Sequence, residues 1–205
     1  MLTEPCEKSP YIAPIALLFV ASLLTAGFCA SGLVEDTSSE KTVIIERTIS
    51  YLKERGPGVP LDRIKIIANS VYDESKKYEL DYRLVLAIMK VESNFKNEAV
   101  SRRGARGLMQ INPSSAKTIA RQSGVEIKGA KCLHEPEKNI KLGVSYLSNL
   151  HDMFDDVVSA LHAYNAGPGK VRKPKNEEKA KTTSFTRKVM SEYRQIAEIL
   201  PDPEE

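Results

Sequence analysis

The length of 205 residues suits one domain of ordinary size together with a leader, and the 41% hydrophobic content is sufficient to fill a core. The lack of Trp and the small number of Gly residues give no indication of a β-sandwich, and the three Cys residues provide no disulfide framework. The net charge of +3 is too mild to indicate a nucleic-acid-binding protein.

The amino-terminal segment is dominated by an uncharged run from Tyr11 to Val34. This run predicts a leader over residues 1–34, which is a membrane anchor, a cleaved signal peptide or a lipoprotein signal. Phe28 does not fit either processed form. A cleaved signal needs a small residue two positions before Ala30, and a lipoprotein signal needs one directly before Cys29, but Phe28 occupies both places. All three alternatives predict that the rest of the chain is exported.

Residues 35–60 are expected to contain a tether and a short helix. Small and polar residues up to Ser39 indicate the tether. A short helix is then predicted to end at the Gly56-Pro57-Gly58 break, with an apolar stripe made by Val43, Ile44, Ile45, Ile49 and Leu52. We assign no role to this helix.

Residues 61–200 show helical periodicity and no sustained strand alternation, which predicts an all-α domain. Asp81 is expected to cap the helix that leads to Glu92, and Gly124 is expected to end another. Further helices are predicted from Leu61, Pro113, Pro136, Val157 and Phe185.

Glu92 is predicted to end a core helix with its carboxyl pointing inward. Val85, Ile88 and Met89 lie seven, four and three positions before it, and therefore share its helix face. Burial disfavours the charged form of a carboxyl, and a carboxylic acid that is still protonated near neutral pH can serve as a general acid. The alternative interpretation is a helix-terminal carboxylate that faces water.

Three motifs occur in a fixed order around and after Glu92. They are Glu92-Ser93-x-Phe95 with Ser101-x-x-Gly104-Ala105-x-Gly107-Leu108-Met109-Gln110, then Asn139-Ile140-x-x-Gly143-x-x-Tyr146-Leu147, then Ala160-Leu161-His162-Ala163-Tyr164-Asn165-Ala166-Gly167-Pro168-Gly169. From about Ile67 to Tyr193 the chain resembles the soluble lytic transglycosylase (SLT) domain, a relative of goose-type lysozyme. The resemblance implies a lysozyme-like helical fold.

The resemblance also implies an activity, a substrate and a set of site residues. The family cleaves the MurNAc-GlcNAc β-1,4 bond of peptidoglycan and forms a 1,6-anhydromuramic end, without a metal or another cofactor. Glu92 resembles the catalytic acid/base, and Tyr164 resembles the hydroxyl that hydrogen-bonds and orients it. Sugar-contacting positions are matched by Ser93, Met109, Gln110 and Asn165.

A lone glutamate is consistent with this chemistry, because no second Asp or Glu lies in any of the three motifs that the active site would use. The acetamido oxygen of the substrate can take the place of the second carboxyl, and its own 6-hydroxyl can replace water as the attacking group. The three His residues are too scattered in sequence to indicate a metal site.

Two departures from the family pattern are His162, where Ala is common, and Lys181-Thr182, where Glu-Thr is common. The basic stretch from Lys170 to Lys181 indicates a solvated loop or attraction to an anionic polymer. Two other functions stay open, a hydrolysing muramidase of the same fold and a non-catalytic peptidoglycan-binding module of an envelope or secretion assembly. The expected location is the periplasm, attached to the inner membrane through the leader, with glycan strands as partner.

Overall fold

The computed structural model describes residues 32–56, 58–171 and 181–203. It divides the chain into two compact units, Met1–Asp36 and Thr37–Glu205. The predicted leader lies outside the described residues except for its last three positions, as does most of the basic stretch before the last helix. Within these ranges, no helix has the length and apolar character needed to cross a bilayer.

The described part of the chain is helical, as predicted. Its strand-like pairings are limited to isolated bridges from Arg106 to Val100 and to Ile111. Two short 3-10 helices, which the sequence did not predict, occupy Ala130–His134 and Pro168–Lys170. The α-helices are α1 (Gly32–Arg55), α2 (Leu61–Lys77), α3 (Tyr82–Ser93), α4 (Pro113–Ser123), α5 (Pro136–Phe154), α6 (Val157–Ala166) and α7 (Ser184–Ala197).

Local capping residues set several of these boundaries where the sequence predicted them. The Asp81 side chain accepts a hydrogen bond from the backbone N–H of Arg83 at 2.8 Å and so begins α3. Asn112 caps α4 in the same way, and Gly124 ends α4 in the left-handed region at φ +67°. These contacts lie within three residues in sequence, which is why the pattern alone could indicate them.

Helix α3 is the centre of the domain. Every residue from Tyr82 to Met89 is buried, and α3 packs against both α2 and α7, while α5 packs against α2, α4 and α6. A helix that is buried on all sides is typical of a domain interior. Glu92 lies in the last turn of this central helix, so the packing of the whole domain determines its position.

Residues near the carboxyl terminus hold the amino-terminal end of α3 in place. The Arg83 guanidinium is buried and forms ion pairs with Asp81 at 2.8 Å and with Asp202 at 2.9 Å. The Tyr193 hydroxyl of α7 donates a hydrogen bond to Asp81 at 2.7 Å. A buried cation with two carboxylate partners is well satisfied, which explains why a charged residue is tolerated at this point.

Helix α1 has the bounds Gly32–Arg55 and covers part of the segment for which the sequence predicts a tether and a short helix. From Thr37 onward it belongs to the same compact unit as the rest of the domain. Lys41 forms an ion pair with Asp73 of α2 at 2.7 Å. Buried Tyr51 packs edge-on against Phe95, with 6.1 Å between the ring centroids. These partners are distant in sequence, so helical periodicity could not indicate them.

Candidate active site

An open cleft of about 570 Å³ lies beside the carboxyl-terminal end of α3. It is lined by Glu92, by parts of the loop from Ser101 to Asn112, by the first turns of α4, by Tyr146 of α5 and by the end of α6. The three motifs of the sequence therefore meet at one place, although they are far apart along the chain.

Glu92 is half-buried in this cleft, and its carboxyl makes no hydrogen bond or ion pair with any residue that the structure describes. Burial raises its pKa from 4.5 to about 7, because an apolar environment disfavours the charged form. A carboxyl with this pKa can give up a proton and take it back near neutral pH. Glu92 thus ends the buried helix α3 with its carboxyl half-buried in the cleft.

No second carboxyl faces Glu92 from the described lining of the cleft. Glu98, the nearest acidic residue in sequence, has a side chain that is 74% exposed and lies 3.7 Å from His134. The described lining of the cleft therefore provides one carboxyl and not the pair that most glycosidases use. Within the same ranges, no three His, Cys, Asp or Glu side chains come together as metal ligands.

A buried amide holds the loop that carries Gln110. Asn139 of α5 donates hydrogen bonds from Nδ2 to the carbonyl oxygens of Arg106 and Leu133 at 2.9 and 2.8 Å, and its Oδ1 accepts one from the Met109 N–H at 2.7 Å. Gly107 lies directly against this amide at φ +79°, where a Cβ atom would overlap Asn139 and the Leu133 carbonyl oxygen. The glycine that the sequence singled out therefore allows the loop to approach α5.

Gln110 and Asn165 reach the cleft, as predicted. Gln110 has a φ of +50°, and its Nε2 donates hydrogen bonds to the carbonyl oxygens of Gly107 at 2.9 Å and Ala99 at 3.2 Å. These bonds fix the side chain and leave its amide oxygen able to accept a hydrogen bond from a ligand. Asn165 is exposed at the end of α6.

Ser93 and Met109, which the sequence predicts to contact sugars, are not among the described residues that line the cleft. The Ser93 hydroxyl is buried and hydrogen-bonds the carbonyl oxygens of Met89 at 3.0 Å and Leu108 at 2.8 Å. The Met109 side chain is fully buried, with its sulfur packed against Gly143 so closely that a Cβ atom there would overlap it. Both residues support the loop from its buried, core-facing side.

The predicted hydrogen bond from Tyr164 to Glu92 is not present. The Tyr164 hydroxyl instead donates its single proton to the Met109 carbonyl oxygen at 2.8 Å. Burial raises the pKa of Tyr164, and the nearby Glu92 charge raises it further. The Tyr164 ring lies 5.4 Å from that of Tyr146, centroid to centroid.

Several lining residues were not predicted as site residues from the sequence. Tyr146 lines the cleft, and its place in the middle motif was a signal that could have identified it. Arg102 and Arg103 also line the cleft, and they fall at unspecified positions of the first motif. Motif matching draws attention to the specified positions, so residues at unspecified positions were missed.

Comparisons with known proteins agree with this arrangement. A "Membrane-bound lytic murein transglycosylase C" from Photorhabdus laumondii is 35% identical over 125 residues, which cover 56% of this chain and 35% of the relative. A protein of the same name from Haemophilus ducreyi is 30% identical over 201 residues, which cover 89% of this chain and 53% of the relative. This chain thus spans about half or less of the length of these relatives.

One solved structure supports the fold. The structure of an inactive variant of the lytic transglycosylase Slt from Pseudomonas aeruginosa superposes with a TM-score of 0.59 at 28% identity, covering 83% of this chain and 30% of that one. The predicted all-α, lysozyme-like fold is confirmed. Residues 69–185, more than half of the chain, match the family model for the transglycosylase SLT domain. The chain therefore belongs to the transglycosylase SLT domain family.

Proposed function

We propose that this chain is a peptidoglycan lytic transglycosylase that cleaves the MurNAc-GlcNAc β-1,4 bond and leaves a 1,6-anhydromuramic end. The observation that carries the proposal is Glu92, an unpaired half-buried carboxyl with a pKa of about 7 in an open cleft. The names of the relatives support it, since both are called lytic murein transglycosylases. The Pseudomonas aeruginosa structure is of an inactive Glu-to-Gln variant of that enzyme.

In the first step, protonated Glu92 donates its proton to the glycosidic oxygen as the bond from that oxygen to C1 of the muramic sugar breaks. The leaving GlcNAc end therefore departs as a neutral hydroxyl. Positive charge develops at C1, and the acetamido oxygen of the same sugar stabilises it. This substrate group takes the place of the second carboxyl that the described lining of the cleft does not provide.

In the second step, ionised Glu92 removes the proton from the 6-hydroxyl of the same muramic sugar, and the 6-oxygen bonds to C1. The anhydro ring closes, Glu92 is protonated again, and no water is consumed. Attack within one molecule has an effective concentration that bulk water lacks. A group that acts as acid and then as base needs a pKa near the working pH, which agrees with the value of about 7 for Glu92.

The other site residues have positioning and binding roles in this proposal. Gln110 and Asn165 bind the sugar through their side-chain amides, because both line the cleft. Tyr164 is a positioning residue, since its hydrogen bond to the Met109 carbonyl oxygen fixes the backbone next to Gln110. Ser93 and Met109 support the same loop from the core side.

The products decide between this activity and its alternatives. Sacculi are digested with the full chain, and the released muropeptides are reduced with borohydride and measured by mass spectrometry. Anhydro ends are one water lighter than hydrolytic ends and resist reduction, and Glu92→Gln should release almost none of them. Reducible muramic ends as the main product would establish a muramidase instead, and binding to sacculi without any release would establish a non-catalytic module.

We further propose the domain order of a leader over residues 1–34, a connecting segment over 35–60 and the catalytic domain over 61–200, with the periplasm as location. The two relatives named as membrane-bound support attachment to the membrane. Helix α1 modifies the proposal, because from Thr37 it belongs to the compact unit of the catalytic domain. Fractionation with amino-terminal sequencing tests it, and a soluble mature protein that starts near Ser31 would rule out an anchor.

A further inference from the structure

Two arginines, Arg102 and Arg103, lie exposed at the rim of the cleft. Neither forms an ion pair or a side-chain hydrogen bond with any residue in the described ranges. The buried Arg83, in contrast, is paired with Asp81 and Asp202. Two unpaired guanidinium groups beside a catalytic cleft are therefore available to a ligand.

The turn that carries the two arginines is held by several hydrogen bonds. The Gly104 N–H donates to the Ser101 carbonyl oxygen at 2.9 Å, so Arg102 and Arg103 are the middle residues of a tight turn. The Ser101 N–H donates to the Ala105 carbonyl oxygen at 2.9 Å, and the Ala105 N–H donates to the Ser101 hydroxyl at 3.1 Å. The backbone beneath both guanidinium groups is thus fixed relative to the cleft.

The described lining of the cleft carries positive charge once Glu92 is protonated. In its described lining the charged side chains are Glu92, Arg102 and Arg103. Asn112 and Ser115 bring the amino-terminal end of α4 to the same cleft, where the helix dipole adds partial positive charge. The sugar rings of a glycan strand are uncharged, so they give this positive charge no partner.

We propose that Arg102 and Arg103 bind free carboxylates of the peptide stems that are attached to the muramic sugars, and that the enzyme therefore prefers strands with stems to strands without them. This inference rests on the proposed function. Stem peptides carry carboxylates, and a planar guanidinium can bind a carboxylate through two parallel hydrogen bonds. The two arginines are then determinants of substrate preference and take no part in bond cleavage.

The test uses the purified full chain and two forms of the same glycan strands. One form has intact stems. The other is stripped of stems by an amidase, and the lactyl carboxylates that this exposes on the muramic sugars are then converted to neutral amides by carbodiimide coupling with ammonia. Wild-type kcat/KM should be about fivefold higher on the strands with stems, the scale expected for two exposed ion pairs. The double variant Arg102→Ala with Arg103→Ala should lose this preference through a higher KM on the strands with stems, with kcat unchanged. The variant with Lys at both positions should restore part of the preference.

A matched control removes two positive charges that are not in the described cleft lining, through Arg47→Ala with Lys65→Ala, two exposed positions on α1 and α2. This control should keep the wild-type preference. Added salt should reduce the preference of the wild type, because exposed ion pairs are screened. An equal loss in the control and in the arginine variant would overturn the inference, since net charge alone would then explain the effect.

Sedimentation of the two strand types with the protein gives a readout that does not depend on cleavage. If the wild type cleaves neither strand but binds those with stems more tightly, and the double Ala variant does not, the proposed function fails and the inference holds. If the wild type cleaves and binds both strands equally well, the inference fails and the proposed function holds.

Discussion

Replacing Glu92 with Gln should abolish activity and at the same time stabilise the folded protein at alkaline pH. The amide has nearly the same shape as the carboxyl but cannot give up a proton. It also carries no charge, so the half-buried site no longer holds an ionised group at high pH. A residue that is needed for chemistry but costs stability is expected at an active site.

The size and sign of the stability change follow from the pKa. Burial raises the pKa of Glu92 from 4.5 to about 7, whereas in the unfolded chain it stays near its ordinary value. Between these pH values the folded state keeps a proton that the unfolded state has lost, so the free energy of unfolding falls as the pH rises. The fall is complete above the folded pKa and amounts to about 3 kcal/mol.

Urea unfolding followed by circular dichroism can measure this at about pH 4 and about pH 8.5, on either side of the two pKa values. Relative to wild type, Glu92→Gln should gain up to about 3 kcal/mol at the higher pH and little at the lower one. Glu54→Gln, at an exposed position of α1, should show no such dependence on pH. An equal difference in the free energy of unfolding at both pH values would refute the reasoning, and so would a less stable Glu92→Gln variant at about pH 8.5.

Three further predictions concern the same site. Gly107→Ala should lower the free energy of unfolding by about 2 to 4 kcal/mol because its Cβ has no space, whereas Gly104→Ala, with open space at a similar φ, should cost only about 1 kcal/mol, as measured by urea unfolding. Tyr164→Phe should leave the buried Met109 carbonyl oxygen without its hydrogen bond, which should lower the free energy of unfolding by about 1 to 3 kcal/mol and also lower kcat. Tyr146→Phe should cause neither of these losses. Wild-type kcat/KM should fall above the pKa of Glu92, at a pH of about 7, because the first step needs the protonated acid.

Each of these predictions can be contradicted by a single result. Equal losses of stability in Gly107→Ala and Gly104→Ala would show that the left-handed backbone matters and the close approach to α5 does not. A Tyr164→Phe enzyme with normal kcat would remove Tyr164 from the positioning role. A kcat/KM that keeps rising well above pH values of about 7 would mean that Glu92 is not the acid of the first step.

How far the candidate site could be predicted depended on the kind of contact involved. Glu92 could be placed inside the protein because Val85, Ile88 and Met89 share its helix face, and helix geometry makes that a local property. The direction of neighbouring loop side chains could not be predicted in the same way. Asn139, thirty residues from Met109, binds the Met109 N–H and the Arg106 carbonyl oxygen, so the conformation of the loop depends on a contact that is distant in sequence.

Most of the helices, several of their caps and the family could be predicted before folding was considered, because periodicity, capping and ordered motifs are encoded within short stretches of chain. Three features could be seen only after folding: Tyr164 binds the Met109 carbonyl oxygen, α1 packs against Phe95 through Tyr51, and Arg102 and Arg103 line the same cleft as Glu92. Each of these depends on which surfaces meet when the helices pack. That choice is made by contacts between residues that are distant in sequence, so no local pattern records it.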